Sequence, residues 1–510
     1  MVPNMSDFLL LLPEVFIVLT LIGVIVGELG YRGERVRVGW MIIVLGLLGA
    51  LLQTALVARF GVASAFYNTV RMDGLAVFLK VLAILLALYT VGSVLFSAEI
   101  ASHRRSEFLV LVLGGALALC ILASARDLFL IFVSLQLLGA SCGFLAAFGT
   151  GSVRSTEAAV KYLVLSLVSG AFLLFGVAVL FKVTHGTQLD LIHEALRLNE
   201  QTFAFNATVW LFLFMGVSFH LAAFPFHTWF PDTLEGAPAP AAAFVAVASR
   251  AGGAVALIRV VTDVFGMNGE SAAASDRAWN VLGLFHWPDA LAVVAGVTLL
   301  VGPLLAMAQN GARRLLAGVV LSEVGFYLIG VLVLDRTGLA ALIYSLFISL
   351  FAVLGSFFVI QVLTDRLGTD SLEGLRGAFR SSIPESIALV LFLCAMIGLP
   401  PMPGFVGKFS LLGAAVEHEW YVLAIAGVAA MAINALAAAR LIFGLMGHYV
   451  AEVMSPAAAA TNQSAPSVRA GEWGIRLYIG LLLSPLVVAG VFSNSLFRLF
   501  EMAVRNLPLH

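Results

Sequence analysis

Apolar windows of about 20 residues recur almost without interruption along this chain. A helix of that length rises about 30 Å, the thickness of a bilayer's hydrocarbon layer. In lipid, every backbone N–H and C=O must be paired within its own segment, so such windows form helices. They fall near 8–29, 38–58, 73–97, 107–124, 127–148, 156–182, 207–228, 239–264, 288–309, 313–333, 338–363, 383–404, 419–447 and 474–497. The expected fold class is an all-α polytopic membrane protein of about fourteen transmembrane helices. Of the 510 residues, 61% are hydrophobic and 11% charged, more apolar surface than a soluble core of this length needs.

The formal net charge of −1 gives no footprint for nucleic acid. Cys120, Cys142 and Cys394 are far apart in apolar stretches, a spacing that suits neither a metal site nor a disulfide framework. No glycine-rich nucleotide loop follows a strand. The run from Phe8 to Gly27 has no basic stretch before it and reads as a first span, not a cleaved leader. The longest polar connections are 183–206, 265–287, 364–382 and 448–473, the last containing the low-complexity turn SPAAAATNQSAPS.

Arginines concentrate in connections that follow odd-numbered spans: Arg32, Arg35, Arg37, Arg104, Arg105, Arg154, Arg313, Arg314, Arg366, Arg376, Arg380 and Arg469. Connections after even-numbered spans hold fewer: Arg59, Arg71, Arg126, Arg197, Arg277 and Arg336. Positive loops stay on the cytoplasmic side, so odd connections are expected there and both termini on the outer side.

Pro225 interrupts the seventh span, and Pro384 with the Leu399–Pro403 stretch interrupts the twelfth. Interruptions at matching places in two halves point to a polar site near the midplane. They suggest a repeat of spans 4–8 in spans 9–13, inverted because each copy holds an odd number of helices. The chain then divides into 1–106 (helices 1–3), 107–264 (first repeat), 288–447 (second repeat) and 448–510 (a loop and the last helix).

A charge at the centre of a span costs at least about 2.5–3.5 kcal/mol. Lys80, Lys161, His220, Arg250, Glu323 and Lys408 stand away from span ends, with Asp127, Glu157 and Glu385 nearer them. Interhelical ion pairing explains any one of these; six in six spans favour a proton path through the bundle. His220 stands five residues before Pro225, whose missing N–H is expected to free the Leu221 carbonyl. An imidazole there is suited to passing protons near neutral pH. Lys408 follows the second interruption. Arg250 keeps its proton and biases its neighbours without relaying. Asp232 and Glu235 read as helix caps.

The segment FPFHTWFPDTLEGAPAPAAAFVAVASR, from Phe224 to Arg250, resembles the central signature of the antiporter-like subunits of respiratory complex I. Its EGAP-x-P form resembles the subunit N branch. EAAVKYLVLSLVSGAFLLFG (157–176), RRLLAGVVLSEVGFYLIG (313–330) and IGLPPMPGFVGKF (397–409) resemble that family's sixth, tenth and twelfth helices. The resemblance covers about residues 70–450, in the family's order. It implies fourteen helices with two inverted five-helix repeats, 4–8 and 9–13, and broken helices 7 and 12. It also implies a membrane-arm subunit of an NADH:quinone oxidoreductase that translocates protons, driven by electron transfer elsewhere. The chain would carry no cofactor and no redox centre; NADH, FMN, iron–sulfur clusters and quinone would sit in other subunits. Partners would be an M-type antiporter-like subunit, small K- and J-type subunits, the long lateral helix of an L-type subunit, and lipid. The location would be a bacterial cytoplasmic membrane.

The chain departs from that pattern on its axis. Gln136 stands where the family has a glutamate, His220 and Arg250 where it has lysines, and Glu323 where it often has histidine. Lys161 and Lys408 keep the family's residue. The expected proton path is Lys161, His220, Glu323 and Lys408, with Gln136 and Arg250 as axis positions that do not titrate. Pro225, Pro400, Pro401 and Pro403 mark the helix breaks. Repeat symmetry would make Glu323/Lys408 the counterpart of Gln136/His220 and the working acid–base pair. Two other readings stay open: a proton-silent spacer in the same complex, and a subunit of a multisubunit cation/proton antiporter or membrane-bound hydrogenase.

Overall fold

The computed structural model describes residues 5–30, 35–149, 152–198, 202–265, 286–454, 472–505 and 507. The long helices run in order: α1 (Leu12–Gly30), α2 (Arg35–Val57), α3 (Gly74–Leu95), α4 (Arg105–Ser124), α5 (Leu128–Ala146), α6 (Val153–Thr184), α7a (Phe203–Leu221), α7b (Trp229–Gly236) and α8 (Ala239–Val264). Then follow α9 (Trp287–Ala308), α10 (Ala312–Val333), α11 (Arg336–Leu367), α12a (Ile383–Ile397), α12b (Pro403–Glu417), α13 (Tyr421–Met454) and α14 (Glu472–Val491). A short amphipathic helix, Leu189–Leu198, follows α6, and a hairpin of β1 (Ala63–Ala65) and β2 (Val70–Met72) precedes α3. The SPAAAATNQSAPS turn lies outside the described residues.

Twelve helices among the described residues are long and apolar enough to cross a membrane. Beside them stand α1 and the broken α12. Each half of α12 has 15 residues, about 22 Å, and only the two in series reach about 30 Å. The twelfth span expected at 383–404 is thus only its first half with the break, and the crossing continues to Glu417. The seventh, expected at 207–228, is α7a followed by α7b.

Side chains with local hydrogen-bonding capacity start the helices. Asp73 accepts from Ala76 N at 2.9 Å to open α3, and Asp127 accepts from Phe129 N at 2.9 Å to open α5. Asp335 does the same for α11. The centre of the bundle is α8, α10 and α11: the apolar windows of α8 and α10 are 100% buried and that of α11 is 94% buried, against 28% for α2 and α14. The alanine- and glycine-rich sequence of α8 permits this. A Cβ on Gly253 would come within 2.7 Å of Leu221 N, so α7a and α8 touch backbone to side.

The two breaks share one geometry. Helix α7a stops at Leu221, Ala222 is left-handed (φ 58°), and the Phe224–Pro225 peptide is cis. Helix α12a stops at Ile397, Gly398 is left-handed (φ 84°), and the Pro400–Pro401 peptide is cis. In each, the residue after the left-handed one returns a hydrogen bond to the helix, Ala223 N to Ser218 O and Leu399 N to Cys394 O. Pro225, Pro400 and Pro401 therefore lie beyond the helix ends, while Pro403 opens α12b and Pro384 stands in the first turn of α12a. Pro225 does not free the Leu221 carbonyl from inside a helix; the chain has already turned before it.

A polar line through the bundle

Arg250, on α8, reaches the middle of the central layer and is fully buried. Its Nη1 donates to Glu323 Oε2 on α10 at 2.8 Å and to Val320 O at 3.1 Å. Its Nη2 donates to Ser349 Oγ on α11 at 3.0 Å, and its Nε to Ala246 O at 2.5 Å. The same Glu323 oxygen accepts from Ser349 Oγ at 2.7 Å and from Tyr327 OH at 3.3 Å. Three helices are thus joined by an ion pair whose donors are directed at partners, the condition under which a buried pair is tolerated. Ser322, beside Glu323, accepts from Asn434 Nδ2 on α13 at 2.6 Å and extends the polar line.

The broken helices flank this pair. Lys408, on α12b, turns back across the break and donates to the carbonyls of Met396 and Ile397, the latter at 3.2 Å. Those carbonyls belong to the last turn of α12a, which has no further N–H to offer them. The ammonium also lies 5.1 Å from the centre of the Phe326 ring on α10. His220 stands in the last turn of α7a, with its carbonyl accepting from Ser249 Oγ at 2.8 Å. Neither of its ring nitrogens has a hydrogen-bond partner among the described residues. A Cβ on Gly139 of α5 would lie 3.5 Å from its Cε1. Phe219 meets the His220 ring edge-to-face, and Tyr162 packs edge-to-face on both Phe219 and Trp229.

Several expectations change. Glu323 pairs with Arg250, not Lys408, because α8 and α10 are adjacent central helices and Lys408 is drawn to unpaired carbonyls. The expected match of Gln136/His220 to Glu323/Lys408 is not reproduced in position either. Counted from the left-handed residue, Lys408 lies well beyond the break while His220 lies before it, so they occupy opposite half-helices. The start of α5 is fixed by the Asp127↔Gln188 bridge and that of α10 by the Gly311↔Ser371 bridge. Measured from these, Glu323 lies about one turn further along its helix than Gln136. Gln136 is half-buried against Gly170 of α6, where an added Cβ would come within 2.3 Å of its Nε2.

Lys161 is not on the buried line: its side chain is 44% exposed and pairs with Glu157 at 2.7 Å and Asp232 at 2.8 Å. Asp232 and Glu235 are not caps but hold Arg314 of α10, Glu235 at 3.1 Å. This surface network continues through Arg313, which pairs with Glu99 and lines a 350 Å³ polar cavity with Arg154, Glu235 and Asp370. Glu385 pairs with Arg366 at 3.1 Å and faces Arg476 of α14 at 3.7 Å.

Some charged groups escaped the sequence reading. Glu14 of α1 is the counterion of the buried Lys80, at 2.7 Å. Arg259 of α8 grips Asp73 through both Nη atoms, at 2.6 and 2.8 Å. Arg259 and Asp263 sit four apart within one apolar span, and that spacing was the available signal. Burial pushes the Asp73 carboxyl up, but the Arg259 charge and hydrogen bonds, with the Ala76 N–H, outweigh it and hold it below its ordinary value. Among the described residues no group of three or more His, Cys, Asp or Glu is arranged to hold a metal ion.

A bundle of membrane-spanning helices with two broken helices facing a buried Arg–Glu pair defines an antiporter-like membrane subunit. The family described as "NADH:quinone oxidoreductase/Mrp antiporter, TM" matches residues 125–434, and the chain belongs to it. An NAD(P)H-quinone oxidoreductase subunit 2 of Synechococcus sp. (strain JA-3-3Ab) is 32% identical over 97% of this chain and 91% of its own. An NADH-quinone oxidoreductase subunit N of Geobacillus kaustophilus is 32% identical over 82% of this chain and 84% of its own. Among solved structures, a chain of Thermus thermophilus respiratory complex I superposes with a TM-score of 0.73 at 24% identity, covering 95% of this chain and 98% of that one. A chain of the Mrp complex from Dietzia sp. does so with a TM-score of 0.80 at 18% identity, covering 99% and 98%. These two likenesses establish the fold.

Proposed function

We propose that this chain is the subunit N of a proton-translocating NADH:quinone oxidoreductase in a bacterial cytoplasmic membrane. It moves protons across the bilayer while electrons pass from NADH to quinone in other subunits. The observation that carries this reading is the buried Arg250–Glu323–Ser349 assembly with Lys408 folded onto the second break. Charges this deep are costly in a purely structural bundle. The relatives named above favour complex I over a free antiporter. We read α1 and broken α12 with the other spans as fourteen helices, with 107–264 and 288–447 as two inverted repeats. The shared turn at both breaks and the two matching bridges support that division. The arginine bias puts the odd connections on the cytoplasmic side and both termini outside.

In this scheme Lys408 is the group that takes and gives up a proton. Its amine leaves the Met396 and Ile397 carbonyls when it loses charge, since a neutral amine is a weaker donor. Arg250 stays charged and fixes Glu323, so Glu323 responds to its surroundings through that pair. His220 offers a second proton-carrying ring on the first-repeat side. The neighbours would be an M-type subunit, K- and J-type subunits, the lateral helix of an L-type subunit along α14, and lipid elsewhere.

A second reading has its own support. Arg250 holds Glu323 with several directed bonds and Gln136 cannot titrate, which suits a proton-silent spacer. Proton translocation per electron pair in proteoliposomes, with Lys408→Met against wild type, separates them. The ratio falls by one subunit's share if this chain conducts. An unchanged ratio with full NADH oxidation means a spacer.

A further inference from the structure

Away from the central pair, α8 carries a second set of buried charges near its other end, about 20 Å from Arg250 along the helix. Asp263 is the group without a settled partner. Its side chain has no exposure, and neither carboxylate oxygen accepts a hydrogen bond from any described residue. The two guanidiniums that face it point their N–H groups elsewhere. Arg259 gives both Nη atoms to Asp73 and one also to Ala123 O at 2.8 Å, leaving Asp263 at 3.9 Å. Arg126, in the turn before α5, has one Nη2 placed between two carboxylates. It lies 2.6 Å from Asp190 Oδ1 and 3.4 Å from Asp263 Oδ1. Asp190, on the Leu189–Leu198 helix, is 46% exposed and also accepts from Asn68 Nδ2.

We propose that Asp263 is a proton-exchange group at the even-connection end of the bundle, gated by Arg126 swinging between Asp263 and Asp190. The structure holds the position that suits a protonated Asp263: Arg126 is bonded to Asp190, and Asp263 accepts no hydrogen bond from any described residue. A neutral carboxyl tolerates burial without a charge-assisted bond far better than a carboxylate does. When Asp263 loses its proton, the attraction on Arg126 rises, Nη2 closes on the buried oxygen, and Asp190 is freed toward water. The proton leaves Asp263 Oδ and passes to solvent; no bond other than O–H breaks. The charged and titratable groups around it are Arg259 on α8, Asp73 at the start of α3, half-buried Arg71 on β2, Arg126 and Asp190. His193 also stands close, its Nδ1 2.8 Å from Val264 O. With the proposed orientation this end is the outer face, so Asp263 would release protons there. That last role rests on the proton-translocating reading given above; the titration of Asp263 does not.

The test uses the intact complex in membranes, with Asp263→Asn, Asp263→Glu and Arg126→Lys beside wild type and Lys408→Met. Infrared difference spectra over a pH titration read carboxylic C=O stretches directly. The expected result is one protonated-carboxyl band in wild type, absent in Asp263→Asn, displaced in Asp263→Glu, and titrating at a different pH in Arg126→Lys. An identical band and titration in Asp263→Asn overturns the proposal. So does a wild-type band set that holds no component assignable to position 263. Proton translocation then tests the role: Asp263→Asn is expected to lower the ratio as Lys408→Met does, with Asp263→Glu restoring it. A ratio lowered by Lys408→Met but not by Asp263→Asn removes the release role and leaves the subunit's function standing. A ratio lowered by neither refutes the functional reading, while the infrared band still decides whether Asp263 titrates. If Asp263→Asn fails to assemble, Asp263→Glu and Arg126→Lys give the same spectral comparison.

Discussion

At the scale of single residues, the site depends on one buried cation having one buried anion. Removing one partner of a buried, hydrogen-bonded pair costs about 3–5 kcal/mol, because the other charge stays behind. Glu323→Gln is therefore expected to lower the thermal midpoint of the assembled complex more than Ser349→Ala, which removes a hydroxyl bonded to both charges, a contribution of about 1.5–3 kcal/mol. Equal shifts in the two variants would contradict the geometry. Lys80 and Glu14 predict a parallel case: Glu14→Gln destabilises the α1–α3 contact, and Lys80→Met with Glu14→Leu recovers most of the loss. Sequence alone displayed Arg250, Glu323, Lys408 and His220, since an ionisable residue inside an apolar window stands out. It did not show who pairs with whom. Lys161 looked equally central in its window, yet it faces outward, because one sequence window does not reveal which side of a helix meets a neighbour.

At the scale of elements, the breaks and the helix contacts shape the site. The prolines announced both interruptions. The position of Pro225, Pro400 and Pro401 beyond the helix ends, after the left-handed Ala222 and Gly398, was not legible, because a hydrophobic window gives no boundary finer than a few residues. The second half of α12 was missed for the same reason: its glycines and lysine dilute the apolar signal. Helix α8 needs small residues where α7a crosses it. Gly253→Val is expected to separate α7a from α8 and reduce assembled complex, since the new side chain meets the backbone of Leu221 and His220. Gly413→Ala, where an added Cβ meets nothing within 4 Å, should be neutral by the same assay. The start of α3 makes a pH prediction. Asp73 has its folded carboxyl value lowered from 3.8. Its contribution to stability is complete above that ordinary value and is lost as pH falls through the lower folded value. The thermal midpoint of wild type should therefore approach that of Asp73→Asn as the medium is acidified below about pH 4. A gap that stays constant with pH would show that Asp73 is not held as a carboxylate.

At the scale of the whole molecule, the chain is a helical bundle with charge on three levels. An ion-pair network around Arg313, Arg314 and Asp232 lies at one end, the Arg250–Glu323 pair in the middle, and the Arg126–Asp263–Arg259 group at the other. The orientation assigned from arginine bias predicts labelling. With the native cysteines buried or half-buried, a cysteine placed at Tyr67, which is 63% exposed, should react with a membrane-impermeant maleimide from outside intact cells. One placed at Val153, 82% exposed, should react only in inverted vesicles. The reverse pattern would turn the molecule over and make Asp263 a group of proton uptake. On the proposed function, this chain conducts protons although its axis carries Gln136 and Arg250. The most direct measurement is the ratio of protons translocated to electron pairs, in proteoliposomes of the intact complex, for wild type and for Gln136→Glu with Arg250→Lys. The ratio is expected to be unchanged or lower in the double variant, with quinone reduction maintained, because Arg250 is what holds Glu323 in place. A higher ratio would mean that the natural chain is silent and that restoring the pair opened it.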